Sequence, residues 1–198
     1  MRCPSPVSAL AFALLLLTAG GAAAQSDVFC ICTDAASGTC GGNLEVDVPG
    51  SCTIHFVLAQ PSGSPVMAWE ARVTVEGSAT YVGGWTLTAG LNVGSGDDYT
   101  VGLQLGGLNG LSPNSVGLVP LMSMTVMLLG EGPLLFKVGP VPGSASFPDG
   151  TPGYLVGVNT MKPASVCSGD FDRAVFTLNN GDADQQGTWG EVKTLYSH

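Results

Sequence analysis

The stretch "VMAWEARVTVEG" at 66–77 alternates oily and wet side chains over twelve residues, and that rhythm constrains the fold more than any other feature. Successive side chains of an extended strand point to opposite sides. Met67, Trp69, Ala71, Val73 and Val75 therefore share one face and Glu70, Arg72, Thr74 and Glu76 the other, the pattern of a half-buried strand. "CTIHFVLA" repeats it, with Ile54, Phe56 and Leu58 inward and Thr53 and His55 outward. "DYTVGLQL" sets Tyr99, Val101, Leu103 and Leu105 against Asp98, Thr100 and Gln104, and "RAVFTLNN" offers Ala174, Phe176 and Leu178. More apolar strands, expected to be central, fit 118–129 and 133–139, with "YLVGV" at 154–158.

Turn signals separate these runs, among them Pro49-Gly50, Gly83-Gly84, Gly106-Gly107, Asn109-Gly110, Pro142-Gly143 and Asp149-Gly150. Strands about ten residues apart with such turns between them predict an all-β sandwich or barrel. A hydrophobic content of 45% is ample for a core, which excludes a disordered chain. The ending departs from the rhythm. Thr188 and Glu191 have the spacing of a capping box, and Trp189, Val192, Leu195 and Tyr196 recur as one face of a short helix. The stretch 181–198 then reads as a polar spacer and an amphipathic tail, which either docks on its own domain or is presented to another chain.

Residues 1–24 read as a signal peptide. Arg2 supplies the positive start, "ALAFALLLLTAGGAAA" the apolar core, and Ala22-Ala23-Ala24 the small-residue cleavage site. The apolar core is too short to span a bilayer. Later, "VGLVPLMSMTVMLLG" is broken by Pro120, Ser123 and Thr125, so no membrane span is expected after cleavage. The expected unit is one β domain over 25–180 with a Cys-rich start. A net charge of −9 argues against nucleic acid and anionic lipid as partners.

Export also decides how the cysteines are read. Cys30, Cys32, Cys40, Cys52 and Cys167 follow the cleavage site, an odd number in an oxidising compartment. Cys30 and Cys32 would face one way on a strand, so each is expected to bond elsewhere than to the other. Cys40 with Cys52 is one loop closure open to the chain, and Cys167 can tie the far end back to the start. One thiol is left over. Zinc is the weaker reading, because paired C-x-x-C knuckles are missing and the chain has two His.

Catalytic chemistry has little material. His55 sits on an outward strand face, and no G-x-S-x-G elbow is present. Glu45, Asp47, Glu70 and Glu76 could supply a carboxylate pair, but they read as the wet face of a sheet. Asp182, Asp184 and Gln186 before Gly187 echo the start of a calcium loop, with Lys193 where a bidentate Glu is required. Asp97-Asp98 and Asp170/Asp172 are further acidic candidates that also suit plain turns. Trp69, Trp85, Tyr81 and Tyr99 fall on apolar faces and offer no platform for stacking sugars.

From about residue 43 to 160 the order "TIHFVLAQPSG", "VMAWEARVTVEG", "WTLTAGLNVGSGDDYTVGL" and "VPLMSMTVMLLGEGPLLFKVGP" resembles the cohesin-type modules of extracellular bacterial scaffolding proteins. That resemblance implies a nine-stranded antiparallel jelly-roll β-sandwich that binds partner modules or serves as surface structure. The Cys-rich start departs from it. The ending "TWGEVKTLY" is similar to the closing segment of many secreted bacterial proteins and transfers no site. The expected function is a secreted, periplasmic or cell-surface, non-enzymatic module that binds a protein partner or self-assembles. The alternative is a carbohydrate-binding or carbohydrate-active extracellular protein. No cofactor is expected, calcium being the one metal weighed.

Overall fold

The computed structural model describes residues 27–103 and 109–181. Within them the chain forms fifteen strands. In chain order these are β1 (Val28–Asp34), β2 (Thr39–Cys40), β3 (Asn43–Leu44), β4 (Gly50–Ala59) and β5 (Val66–Gly77). There follow β6 (Tyr81–Val82), β7 (Thr86–Leu87), β8 (Leu91–Asn92), β9 (Asp98–Gly102) and β10 (Leu118–Leu128). The last are β11 (Leu134–Gly139), β12 (Gly153–Val156), β13 (Thr160–Pro163), β14 (Ser165–Val166) and β15 (Phe176–Leu178). Among the described residues no helix occurs, and the predicted signal segment and tail helix lie outside them.

Two sheets share one core. The first runs β14-β1-β4-β10-β6, with β2 beside β1 and β7 beside β10; the second runs β13-β12-β5-β11-β15-β3, with β9 beside β5 and β8 beside β9. Most pairs are antiparallel, but β1 with β14 and β15 with β3 are parallel. The two-residue rhythm decides which side chains go in. Ile54, Phe56 and Leu58 from β4 and Met124, Val126 and Leu128 from β10 meet Trp69, Ala71 and Val73 from β5 and Phe136 and Val138 from β11. The rings of Phe56 and Trp69 are 5.5 Å apart across the two layers. Each fully buried side chain of this size contributes about 1.5–3 kcal/mol.

One expected inward residue is displaced. A register shift between Leu155 and Val156 opposite β5 places Val66 in the core cluster with Trp69, and Met67 is not part of that cluster. The extra residue of a bulge reverses the inside-outside phase on one side of itself, so strict alternation cannot hold through it.

The outer face of the first sheet carries its own small cluster of Val28, Cys30, Cys32, Val57 and Leu118. Burial on both faces explains why β1, "VFCICTD", is apolar almost throughout. Two disulfides sit here: Cys30 bonds Cys167, and Cys32 bonds Cys40. Cys30 and Cys32 therefore do bond elsewhere than to each other, and Cys167 does tie the far end to the start. The Cys40–Cys52 closure is corrected. The hairpin of β1 and β2 places Cys40 directly opposite Cys32, whereas Cys52 on β4 packs against the inner core as a free thiol. Burial pushes the Cys52 thiol above its ordinary pKa.

The two bonds differ in the loop they close, with sequence separations of 137 and 8. Chain entropy assigns the long closure roughly 5 kcal/mol and the short one about half that. Replacing Cys30 and Cys167 together by alanine is expected to lower Tm by roughly 10–20 °C, about twice the loss from the Cys32/Cys40 pair. Thermal melts of the two double variants check this, and equal losses would contradict it.

Candidate functional site

The strand β5 organises the second sheet's outward face. Glu70 stands opposite Gly153 of β12 on one side and Thr100 of β9 on the other. Arg72 stands likewise between Gly139 of β11 and Asp98 of β9. So β11 and β12 lie end to end along one edge of β5, and segment 140–152 leaves and returns between them. That segment folds back over the sheet. A Cβ on Gly153 would collide with the Phe147 ring, and one on Gly139 would touch Phe171. Gly153 thus leaves the outer surface flat enough for the Phe147 ring to lie on it, while a side chain at Gly139 would make only ordinary contact with Phe171 Cβ at 3.7 Å.

This roof overturns the reading of Glu70 as a wet-face residue. Glu70 is 6% exposed, the one buried charged residue in the described chain. Thr100 Oγ1 donates to its Oε2 at 3.3 Å, while Oε1 meets no donor. Glu70 and Thr100 border a cavity of about 160 Å³ with Ala68, Ser146, Phe147, Leu155 and Met161. Sequence reasoning missed this because the cover comes from a loop about 75 residues further along the chain. The only local sign was a glycine at 153 and a phenylalanine at 147, neither of which announces a register.

The other carboxylates do not join it. Glu76 is ion-paired to Lys137 at 2.7 Å and borders a separate cavity with Arg72 and Phe171. Glu45 accepts from Asn43 beside β3, three strands along the sheet from β5, and Asp47 is exposed next to it. Asp98 pairs with Arg72 at 3.3 Å. Asp170 accepts from the Asp172 amide at 2.9 Å, an Asx-type turn. His55 is on the outward face of β4, opposite Cys32 and Ser123. Asp182, Asp184 and Gln186, and the tail residues Trp189, Val192, Leu195 and Tyr196, lie outside the described residues.

A second concavity opens between the layers. Tyr81, Trp85 and Tyr99 border a cleft of about 230 Å³ with Gly83, Gly84, Asp97 and Met124. Trp69, by contrast, is core: it is 2% exposed and stacks on Tyr99 at 5.8 Å. Trp85 meets Phe136 edge-on at 6.5 Å, and its buried Nε1 has no acceptor. Burial, reinforced by the Asp97 charge, raises the Tyr99 hydroxyl and keeps it a donor. As expected from the sequence, Tyr81, Trp85 and Tyr99 lie on apolar faces and pack against the core, and each is only partly buried where it borders this cleft.

A polar clamp lies at the start of the described chain. Asp27 accepts from the Ser62 amide and hydroxyl, each at 2.6 Å, and from the Tyr154 hydroxyl. Lys162 Nζ donates to Ser62 Oγ at 2.8 Å. Ser62 gives its own proton to Asp27 and receives one from Lys162, so the amine is not placed to act as its base. The clamp is structural: it joins Asp27, the turn after β4, β12 and β13. Burial alone would raise the Asp27 pKa, but the Ser62 and Tyr154 hydrogen bonds and the Lys162 charge carry it below 3.8. Burial and the bond to Asp27 push Tyr154 up to about 12.

Asp27 therefore stabilises the fold above its unfolded pKa, and that contribution is lost as pH falls below 3.8 through the lower folded value. Tyr154 favours the folded state below pH 10, and its contribution disappears between pH 10 and about 12. Asp27→Asn is expected to flatten the acid limb of a denaturant-midpoint profile and Tyr154→Phe the alkaline limb. At neutral pH Tyr154→Phe costs about 1.5–3 kcal/mol, the range for hydrogen bonds to charged groups. Unchanged limbs would contradict this assignment.

No protein-family model, curated protein or solved structure matches the chain.

Proposed function

We propose that the chain is an exported, non-enzymatic β-sandwich of the cohesin-like, jelly-roll kind that binds a protein partner in the cell envelope or extracellular space. The observation that carries this is an apolar surface on the outside of the first sheet. Met127 of β10 and Val82 of β6 face each other across the strands, and Leu129 comes immediately after β10. Their exposures are 50%, 60% and 51%. Contiguous exposed apolar groups, unlike scattered ones, mark association surfaces. A rim of hydroxyls borders them: Ser51 stands opposite Met127, and Thr53 and Thr125 hydrogen-bond each other at 3.1 Å. An oily centre with a polar rim is the usual anatomy of a protein interface.

The double variant Val82→Lys/Met127→Lys tests it. Both positions are exposed, so Tm is expected to change by less than roughly 3 °C. Chemical cross-linking of the exported protein in its native medium, followed by mass spectrometry, should show a partner chain joined near Met127 in the wild type. The variant should lose that product at least tenfold. Identical products from both proteins would reject this face.

A second reading is carbohydrate binding, favoured by the Tyr81–Trp85–Tyr99 cleft and the unmet Trp85 Nε1. Buried tryptophan N–H groups normally have an acceptor, and a sugar hydroxyl would supply one. Trp85→Phe keeps the ring and removes the donor. Retention on immobilised polysaccharide by the wild type, weakened at least fivefold in Trp85→Phe, would favour this reading; no retention by either protein would end it.

A further inference from the structure

The second sheet's roofed cavity holds a carboxylate with one oxygen unmet, and its walls say what would meet it. Glu70 is buried to 94%, its exposure being 6%, with Oε2 engaged by Thr100 and Oε1 without a donor. The neighbouring cations are committed elsewhere: Arg72 to Asp98, Lys137 to Glu76 and Lys162 to Ser62. A buried anion without a donor is unfavourable, so the site is set up to gain from an added positive charge. We infer that this cavity is a receptor for a primary ammonium group carried on a short aliphatic stem, such as a lysine side chain or an alkylamine.

Size, shape and charge select that chemistry. At about 160 Å³ the cavity is smaller than drug-sized pockets, which run roughly 300–1,000 Å³, and suits one side chain. Ala68, Phe147, Leu155 and Met161 wall it with apolar atoms suited to methylenes, while the Thr100 hydroxyl lies 3.3 Å from the carboxylate and Ser146 is a further polar residue in the lining. Guanidinium prefers both oxygens of a carboxylate at once, and Oε2 is already taken. Calcium needs six to eight oxygens, which these walls do not offer. The chain's 15 acidic against 6 basic residues favour cations approaching it. The cavity and the Val82–Met127 surface are on different sheets, so this inference stands independently of the proposed partner face.

Amide chemical shifts of the protein titrated with n-butylammonium test it, with n-butanol and n-propylguanidinium as controls. Saturable shifts are expected at Thr100, Ser146, Leu155 and Met161. Both controls should bind at least tenfold more weakly, and Glu70→Gln should weaken the ammonium at least tenfold while leaving butanol unchanged. Met161 is 43% exposed at the cavity rim, so Met161→Trp offers a second variant that fills the space without disturbing the core. It should abolish the shifts even if Glu70→Gln fails to fold. An acetylated lysine methylamide separates the sources. Tighter binding than butylammonium points to a lysine of a polypeptide, and weaker binding to a free amine. Equal response to butanol and butylammonium, insensitivity to both variants, or no shifts at these residues would overturn the inference.

Discussion

The ring of Phe56 lies between Phe29, 5.2 Å away in its own sheet, and Trp69, 5.5 Å away in the other, and Trp69 in turn stacks on Tyr99. This aromatic run crosses the interior and joins the two layers. It also fixes register. Sliding β4 or β5 by one residue would turn Phe56 or Trp69 outward and bring His55 or Glu70 into the core. Each later pairing, from β9 on one edge of β5 to β11 and β12 on the other, inherits the phase those side chains set.

Fixing the inner faces leaves the outer ones to be decided separately, and the two sheets solve this differently. The first sheet closes one end with an apolar cluster and two disulfides and leaves the other end open at Val82 and Met127. The second sheet gives up a side chain at Gly153 so that the Phe147 ring can cover it. Covering a face designed to be wet has one consequence. Glu70, which would be unremarkable in water, becomes a buried group with an unmet oxygen. Local rules of strand patterning fail at that residue, and such failures tend to coincide with sites rather than with errors of folding.

The ends of the domain are held by chemistry that does not compete with either face. Cys30–Cys167 acts mainly on the unfolded chain by shortening its largest loop, whereas Asp27 with Tyr154 and Ser62 acts on the folded state through hydrogen bonds to a carboxylate. One depends on redox state and the other on pH. Both bring the region around β14 back to β1, so the first sheet has a closed edge there despite the shortness of its last strand.

The sequence by itself determined that residues 27–103 and 109–181 are built from strands, which residues of β4 and β9 face inward, that 118–129 and 133–139 are apolar strands, and that Cys30 and Cys32 bond to other cysteines. Alternation and turn chemistry act over a few residues, so they can be read directly from the order of side chains. Tertiary structure alone decided that Cys40 takes Cys32 and leaves Cys52 free, that Val66 joins the main core cluster beside Trp69, that Glu70 is roofed, and that Tyr81, Trp85 and Tyr99 meet at one cleft. Each of those depends on which distant segment arrives beside a strand and in what register. Such arrivals are governed by packing of the whole core, and no local pattern encodes them.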